Sequence, residues 1–185
     1  MKAILSADSN WGIGNEGKLL LHVPEDMKYF RRMTTGKIVV MGRETLESFP
    51  GKQPLKNRIN IVLSRNGYFD YGVDQMATEK RREGIETTDI FDDRRLIVCR
   101  SLKELHERLK EYCDEDVFVI GGESVYKQLL PNCTEVYVTK FKHAFTADRH
   151  FPNLDELQDW RLESESESCN YNGIDYSFCK YVRNL

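Results

Sequence analysis

The chain has 185 residues, 40% of them hydrophobic, and its 27 basic and 30 acidic residues leave a formal net charge of -3. That is enough apolar material for one domain around a buried core. The basic residues are dispersed rather than blocked, which leaves no nucleic-acid footprint. No apolar run approaches the ~18 residues of a membrane helix. The run after Met1-Lys2, Ala3-Ile4-Leu5, is too short for the core of a signal peptide. Cys99, Cys113, Cys133, Cys169 and Cys179 are odd in number and contain no C-x-x-C pair, which favours free thiols in a reducing cytosol. His22, His106, His143 and His150 make no ligand spacing with them, so no metal site is expected.

Taken in chain order, Ala3 to Ala7 reads as a short strand. Asp8 to Lys18 follows, with Gly12, Gly14 and Gly17 among polar residues, and reads as a mobile loop able to fold over a site. Val23-Pro24-Glu25-Asp26-Met27-Lys28-Tyr29-Phe30 opens a helix with Pro24 at its first position. Lys37 to Met41 is a continuous apolar strand of the buried, parallel kind. Arg43 to Phe49 reads as a short helix, and Arg58 to Ser64 and Leu96 to Cys99 as further strands. Ser101-Leu102-Lys103-Glu104 is a capping box for a helix whose Leu102, Leu105, Leu109 and Tyr112 share a face. Val117 to Ile120 is a buried strand, Glu123 to Leu130 a helix stopped by Pro131, and Glu135 to Phe141 a strand. From Trp160 the pattern alternates around the turn signal Asn172-Gly173, an antiparallel pair closing the sheet. This order predicts a single α/β domain over residues 1–185, with a mostly parallel twisted sheet of about eight strands flanked by helices. Asn66 to Arg95, long and polar, reads as a surface excursion within it.

One residue breaks the pattern. At ~100° per residue, Val23, Met27, Phe30 and Met33 form an apolar stripe, and Asp26 falls inside it. A carboxylate facing a core costs several kcal/mol unless something meets it. Either Asp26 complements the helix N-terminus from the first turn, or it lines an apolar cleft and receives a polar, cation-like ligand.

Two strand-to-helix junctions carry glycine: Met41-Gly42-Arg43-Glu44-Thr45 and Ile120-Gly121-Gly122-Glu123-Ser124. Each would present backbone N–H groups where anions bind, and together they suit the two ends of a dinucleotide pyrophosphate. Neither G-x-G-x-x-G nor a Walker pattern is present. Arg43, Ser64 and Arg65 would suit a phosphomonoester, although each arginine singly reads as a solvated charge.

Taken as an ordered set, these segments resemble the dihydrofolate reductase family. The resemblance runs through Ile4-Leu5-Ser6-Ala7, Gly12-Ile13-Gly14, Val23 to Phe30, Val40 to Phe49, Pro54 to Ser64, Val119 to Tyr126, Tyr137-Val138-Thr139 and Asp148 to Pro152. It spans essentially the whole chain apart from residues 66–95. It implies hydride transfer from NADPH to dihydrofolate, and antifolates as ligands. Asp26 matches the family's acid, which hydrogen-bonds the amidine-like edge of the pterin and favours protonation at N5; an isolated carboxylate in an apolar pocket attracts a proton. Thr139 matches the hydroxyl of that network. Leu5, Ser6, Met27, Phe30, Ser48, Phe49, Leu55 and Ile120 match the substrate pocket. Arg58 matches the arginine that grips the glutamate carboxylate. The cofactor groove is matched by Ala7, Ile13, Gly14, Lys18, Gly42, Arg43, Glu44, Thr45, Leu63, Ser64, Arg65, Arg100, Gly121, Gly122, Glu123, Ser124, Val125, Tyr126 and Gln128, with Gly121-Gly122 resembling a pair joined by a cis peptide.

The chain departs from the family pattern at four places. Leu20-Leu21 replaces Pro-Trp, Ser6 an alanine, Ser124 a frequently basic residue, and Ala147 a glycine. Leu21, just before the Asp26 helix, is expected to line the same cleft. The resemblance further implies a cytoplasmic monomer, without nucleic-acid or membrane partners. Two alternatives are a pyrimidine reductase of riboflavin synthesis and a non-catalytic module that binds NADP.

Overall fold

The computed structural model describes residues 1–65 and 94–184. The surface excursion expected at Asn66 to Arg95 lies outside them except for its last two residues, which belong to a strand.

Strand β1 (Lys2–Ala7) leads through the short β2 (Gly12–Gly14) to helix α1 (Pro24–Thr34). Then come β3 (Ile38–Gly42), α2 (Arg43–Ser48), β4 (Arg58–Leu63), β5 (Arg94–Cys99) and α3 (Leu102–Leu109). They are followed by β6 (Val117–Gly121), α4 (Glu123–Leu129), β7 (Glu135–Phe141) and β8 (Arg149–His150). The chain closes with β9 (Trp160–Glu165), β10 (Cys169–Tyr171) and β11 (Ile174–Arg183).

Nine strands form one sheet in the order β10-β11-β7-β1-β6-β3-β4-β5, with β9 on β11. From β7 to β5 every neighbouring pair is parallel, whereas β11 runs antiparallel to β7, β9 and β10. The expected architecture is present, with the antiparallel closure one strand larger than a hairpin. Asn172 (φ 51) and Gly173 (φ 81) turn β10 into β11, both central residues left-handed as a tight hairpin requires.

Both faces of the parallel sheet are covered, so its central strands β3 and β6 carry no polar side chain. Alternation along β3 sends Ile38 and Val40 to one face and Val39 and Met41 to the other. The first face packs Leu105 and Leu109 of α3 and Val125 and Leu129 of α4; the second packs Tyr29, Phe30 and Met33 of α1. At the start of α3, the Ser101 hydroxyl accepts from Glu104 N, as the capping box predicts. The Glu104 carboxylate reaches back to the N–H of Arg100, one residue before the cap.

The segment Asp8 to Lys18 is more tied down than its glycines suggest. Gly12–Gly14 pairs antiparallel with Arg149–His150, making β2 a strap rather than a bare loop. Asp8 accepts from the N–H groups of Asn10, Gly12 and Phe145, and Asp148 accepts from that of Glu16. A Cβ on Gly12 would meet the Ala147 Cβ at 2.7 Å, so the alanine present here sits in the space that Gly12 vacates.

Candidate active site

Ile4 to Ser6, Gly42, Leu63-Ser64 and Ile120-Gly121 lie at or near the carboxyl ends of β1, β3, β4 and β6, and they floor a cleft of about 2080 Å³. Open α/β sheets bind ligands at this edge. The volume is about twice that of an ordinary small-molecule pocket, room for two ligands. The cleft lining contains nine lysine and arginine residues but three carboxylates, in a chain whose net charge is negative. Basic residues that are dispersed in sequence therefore converge in space, and the cleft attracts anions.

Asp26 is 5% exposed, on the first turn of α1. Among the described residues its hydrogen-bond partner is Thr139, whose hydroxyl donates to Oδ1 at 2.6 Å from β7. Burial raises its pKa above the ordinary aspartate value; the Thr139 hydrogen bond and the nearby His22 charge oppose the shift without cancelling it. Complementing a helix N-terminus needs no burial, so the apolar-stripe reading of Asp26 describes the fold. Thr139 does not itself line the cleft; it stands behind Asp26.

Two turns further along α1 a second polar residue is buried, Thr34. Its Oγ1 accepts from Arg58 Nε at 2.9 Å, while the carbonyl of Lys56 and the Thr35 hydroxyl take the two terminal nitrogens at 2.6 and 3.3 Å. The guanidinium is thereby oriented over Phe30, 5.9 Å from the ring centroid. Burial, and then the neighbouring Arg31 charge, pull its pKa down from the usual arginine value. Asn60, fully buried in β4, exchanges hydrogen bonds with the N–H and C=O of Leu55 and so pins the turn that carries Leu55 and Arg58.

At the other end Gly121 and Gly122 are joined by a cis peptide, and Gly121 has φ +120, a conformation closed to ordinary side chains. A Cβ there would lie in van der Waals contact with Thr45 and Tyr126, at 3.4 Å from each, so it is the backbone conformation that calls for glycine. Tyr126, buried beneath, donates its hydroxyl to the Ile4 carbonyl at 2.8 Å. Arg43 bridges both Glu47 carboxylate oxygens at 2.8 Å, so its charge is already partly neutralised. Arg65 and Arg100 line the same end and engage in no ion pair among the described residues.

Every expected substrate-pocket residue lines this cleft: Leu5, Ser6, Asp26, Met27, Phe30, Ser48, Phe49, Leu55, Arg58 and Ile120. So do Ile13, Gly14, Lys18, Gly42, Arg43, Glu44, Thr45, Leu63, Ser64, Arg65, Arg100, Gly121, Gly122, Glu123, Ser124, Val125, Tyr126 and Gln128. Ala7 is the exception, with its side chain fully buried in the core. Leu21 corrects an expectation. It packs on Val23, Phe141 and Tyr176, while Leu19 and His22 on either side of it face the cleft. Sequence reasoning missed His22, Thr34 and Asn60. The signal for Asn60 was a lone amide between Ile59 and Ile61.

The family model for dihydrofolate reductase matches residues 1–89 and 80–183. The chain belongs to the dihydrofolate reductase family. Within the family, it is 34% identical over 184 residues to the dihydrofolate reductase of Bacillus subtilis, covering 97% of this chain and 92% of that one. It is 35% identical over 198 residues to the bifunctional dihydrofolate reductase-thymidylate synthase of Daucus carota, of which it covers 33%. Among solved structures, the dihydrofolate reductase from Enterococcus faecalis complexed with NADP(H) and RAB-propyl superposes with a TM-score of 0.75 at 30% identity, covering 100% of this chain and 96% of that one.

Proposed function

We propose that this chain is an NADPH-dependent dihydrofolate reductase, with the pterin against Asp26, the glutamate carboxylate on Arg58, and the dinucleotide along the glycine-floored end of the cleft. One observation carries the reading. Of the three carboxylates in the lining, Asp26 alone is buried, bonded to one hydroxyl, in a cleft dominated by cations. The basic lining suits the phosphates of one ligand and the carboxylates of the other, while the buried acid suits the one cation-like edge between them.

The residues present fit the cofactor. The Gly121-Gly122 backbone leaves open the space a Cβ would fill, and Arg65, Arg100 and Ser64 offer charge and a hydroxyl for the phosphate that distinguishes NADPH from NADH. Bound there, NADPH would supply the hydride. Asp26 holds the pterin edge and, with its pKa raised by burial, favours the protonated substrate that accepts a hydride most readily. Thr139 fixes the carboxylate's orientation through Oδ1. Arg58, pre-set by Thr34, Thr35 and Lys56, needs little reorganisation to bind a carboxylate. Leu5, Phe30, Phe49 and Ile120 keep bulk water from the reacting edge.

The same reading makes antifolates competitive ligands, and places one monomeric domain in the cytoplasm without nucleic-acid or membrane partners. Among the described residues no helix is long and apolar enough to cross a membrane. The riboflavin-pathway and non-catalytic alternatives gain no support from the family match. NADPH oxidation dependent on dihydrofolate and abolished by methotrexate is the expected outcome; NADPH binding without turnover would contradict the assignment.

A further inference from the structure

Trp11 stands among polar neighbours at the root of β2, yet it is 2% exposed and its backbone sits at φ +60. Its ring is held from several sides. Phe151 stacks at 6.0 Å between centroids and Tyr181 meets it edge-on at 5.5 Å. Above the ring, 3.4 Å from its centroid, lies the ammonium of Lys140. That nitrogen is cut off from solvent and has no hydrogen-bond partner among the described residues. The carboxylate near it is Asp155, whose Oδ2 lies 3.8 Å away. Asp155 is already engaged, accepting from Trp11 Nε1 at 3.2 Å and from the Tyr181 hydroxyl at 2.6 Å. Burial pulls the Lys140 pKa below the ordinary lysine value, while Asp155, Cys179 and Asp8 oppose the shift.

An ammonium without a hydrogen-bond acceptor destabilises an interior, and a hydrocarbon of similar length would pack there more favourably. Stability alone does not account for a cation here. Its place in the fold does. Lys140 follows Thr139 on β7, so the two side chains leave opposite faces of one strand. Thr139 holds Asp26, and Lys140 holds Trp11. Trp11 leads directly into Gly12–Gly14, whose Ile13 and Gly14 line the cofactor end of the cleft, and its carbonyl accepts from Phe151 N at 2.8 Å beside β8.

We propose that Lys140 and Trp11 are positioning residues: a cation-π clamp that seats the root of the β2 strap so that Ile13 and Gly14 close over the dinucleotide. The proposal rests on the reading of that end of the cleft as the NADPH site. Without the clamp, the strap spends part of its time away from the cleft, and apparent affinity falls with the binding-competent fraction. The strap contact is made equally in ground and transition states, so the loss enters KM rather than kcat.

Lys140→Met and Lys140→Arg in the full chain test this, read by NADPH affinity, steady-state kinetics, thermal melting and tryptophan emission. For Lys140→Met the NADPH Kd and KM rise about five- to tenfold, and kcat stays within about twofold. Its melting temperature does not fall, and apo tryptophan emission changes as the cation leaves the ring. Lys140→Arg restores affinity, because a guanidinium also stacks on indole. Unchanged NADPH affinity in Lys140→Met overturns the clamp, as does a loss that arginine does not restore. If Lys140→Met does not fold, Lys140→Gln, Trp11→Leu and their double variant take its place. A clamp predicts the same loss in all three, and additive losses in the double variant overturn it. An unaltered chain that binds no NADPH overturns the site reading and the proposal together, whereas normal binding with an indifferent Lys140→Met overturns the clamp alone.

Discussion

On the first turn of α1 a carboxylate is buried with one hydroxyl for a partner; on the last turn, Thr34 and Thr35 help to hold a guanidinium that stays half open to the cleft. The two ends of one helix thus handle charge in opposite ways. Arg58 is geometrically finished, with three oxygens aiming its nitrogens, but no anion balances it or the neighbouring Arg31 among the described residues. Asp26 is geometrically spare, and its burial favours the proton. The last-turn end suits a group of fixed charge, and the first-turn end suits a change of protonation as a ligand arrives. Binding and chemistry are separated along about two helical turns.

That separation is easiest to break at the acid. Asp26→Asn keeps the shape and an acceptor for the Thr139 hydroxyl but removes the titrating group. Turnover with dihydrofolate near neutral pH should fall about 10²- to 10⁴-fold, with NADPH binding nearly unchanged and the loss shrinking at low pH. Stability should move the other way. Because the folded-state pKa of Asp26 is raised, its stability contribution is fully present below the unfolded value and is lost as pH rises through the folded value. Asp26→Asn should therefore melt no lower than the unaltered protein at neutral pH. Unchanged turnover at neutral pH would remove Asp26 from the mechanism.

At the opposite end, Arg58→Lys keeps the charge but loses the planar fork aimed by Thr34, Thr35 and Lys56. The KM for dihydrofolate should rise roughly 10- to 100-fold, with kcat largely retained. A fall confined to kcat would mean that the two ends are not separable as described.

A smaller effect sharpens the account of cofactor choice. Because Arg43 is already bridged to Glu47, Arg65→Ala should cost roughly tenfold in the preference for NADPH over NADH, and Arg43→Ala less. Equal losses from the two variants would show that the Arg43–Glu47 pair opens on binding.

The smallest effect on catalysis belongs to Leu21→Trp. Leu21 packs beside Val23, Phe141 and Tyr176, so an indole there overpacks that cluster, at about 1–3 kcal/mol. A melting temperature lowered by several degrees with nearly normal kcat is the expected result. A variant that is both faster and no less stable would place residue 21 in the cleft after all.

What the sequence made legible follows from periodicity. Asp26 was visible because a helix has a fixed repeat, and an acid inside an apolar stripe is conspicuous. The parallel strands were visible because burial on both faces leaves each with a run of apolar residues, unbroken in β3 and β6, and their bounds lie within a residue or two of the structure. Leu21 was not legible: it precedes α1 in a segment with no repeat, so its direction is set by tertiary packing alone. The β2 strap was hidden for a related reason, since three residues with two glycines carry no alternation. Thr34 was hidden because its work is a hydrogen bond to Arg58, 24 residues away, whereas Asn60 left only a weak local mark, a lone amide in an apolar strand whose partner Leu55 lies in the preceding turn.

The central claim is that burial, opposed by one hydroxyl, keeps a proton on Asp26 to higher pH than an ordinary aspartate would. An isotope-edited NMR titration of the Asp26 side-chain carboxyl in the folded protein tests it directly, with Thr139→Val alongside. The account predicts a midpoint above the ordinary aspartate value, moved higher still in Thr139→Val, where the opposing hydrogen bond is gone. A midpoint at or below the ordinary value, or one that Thr139→Val lowers, would contradict it.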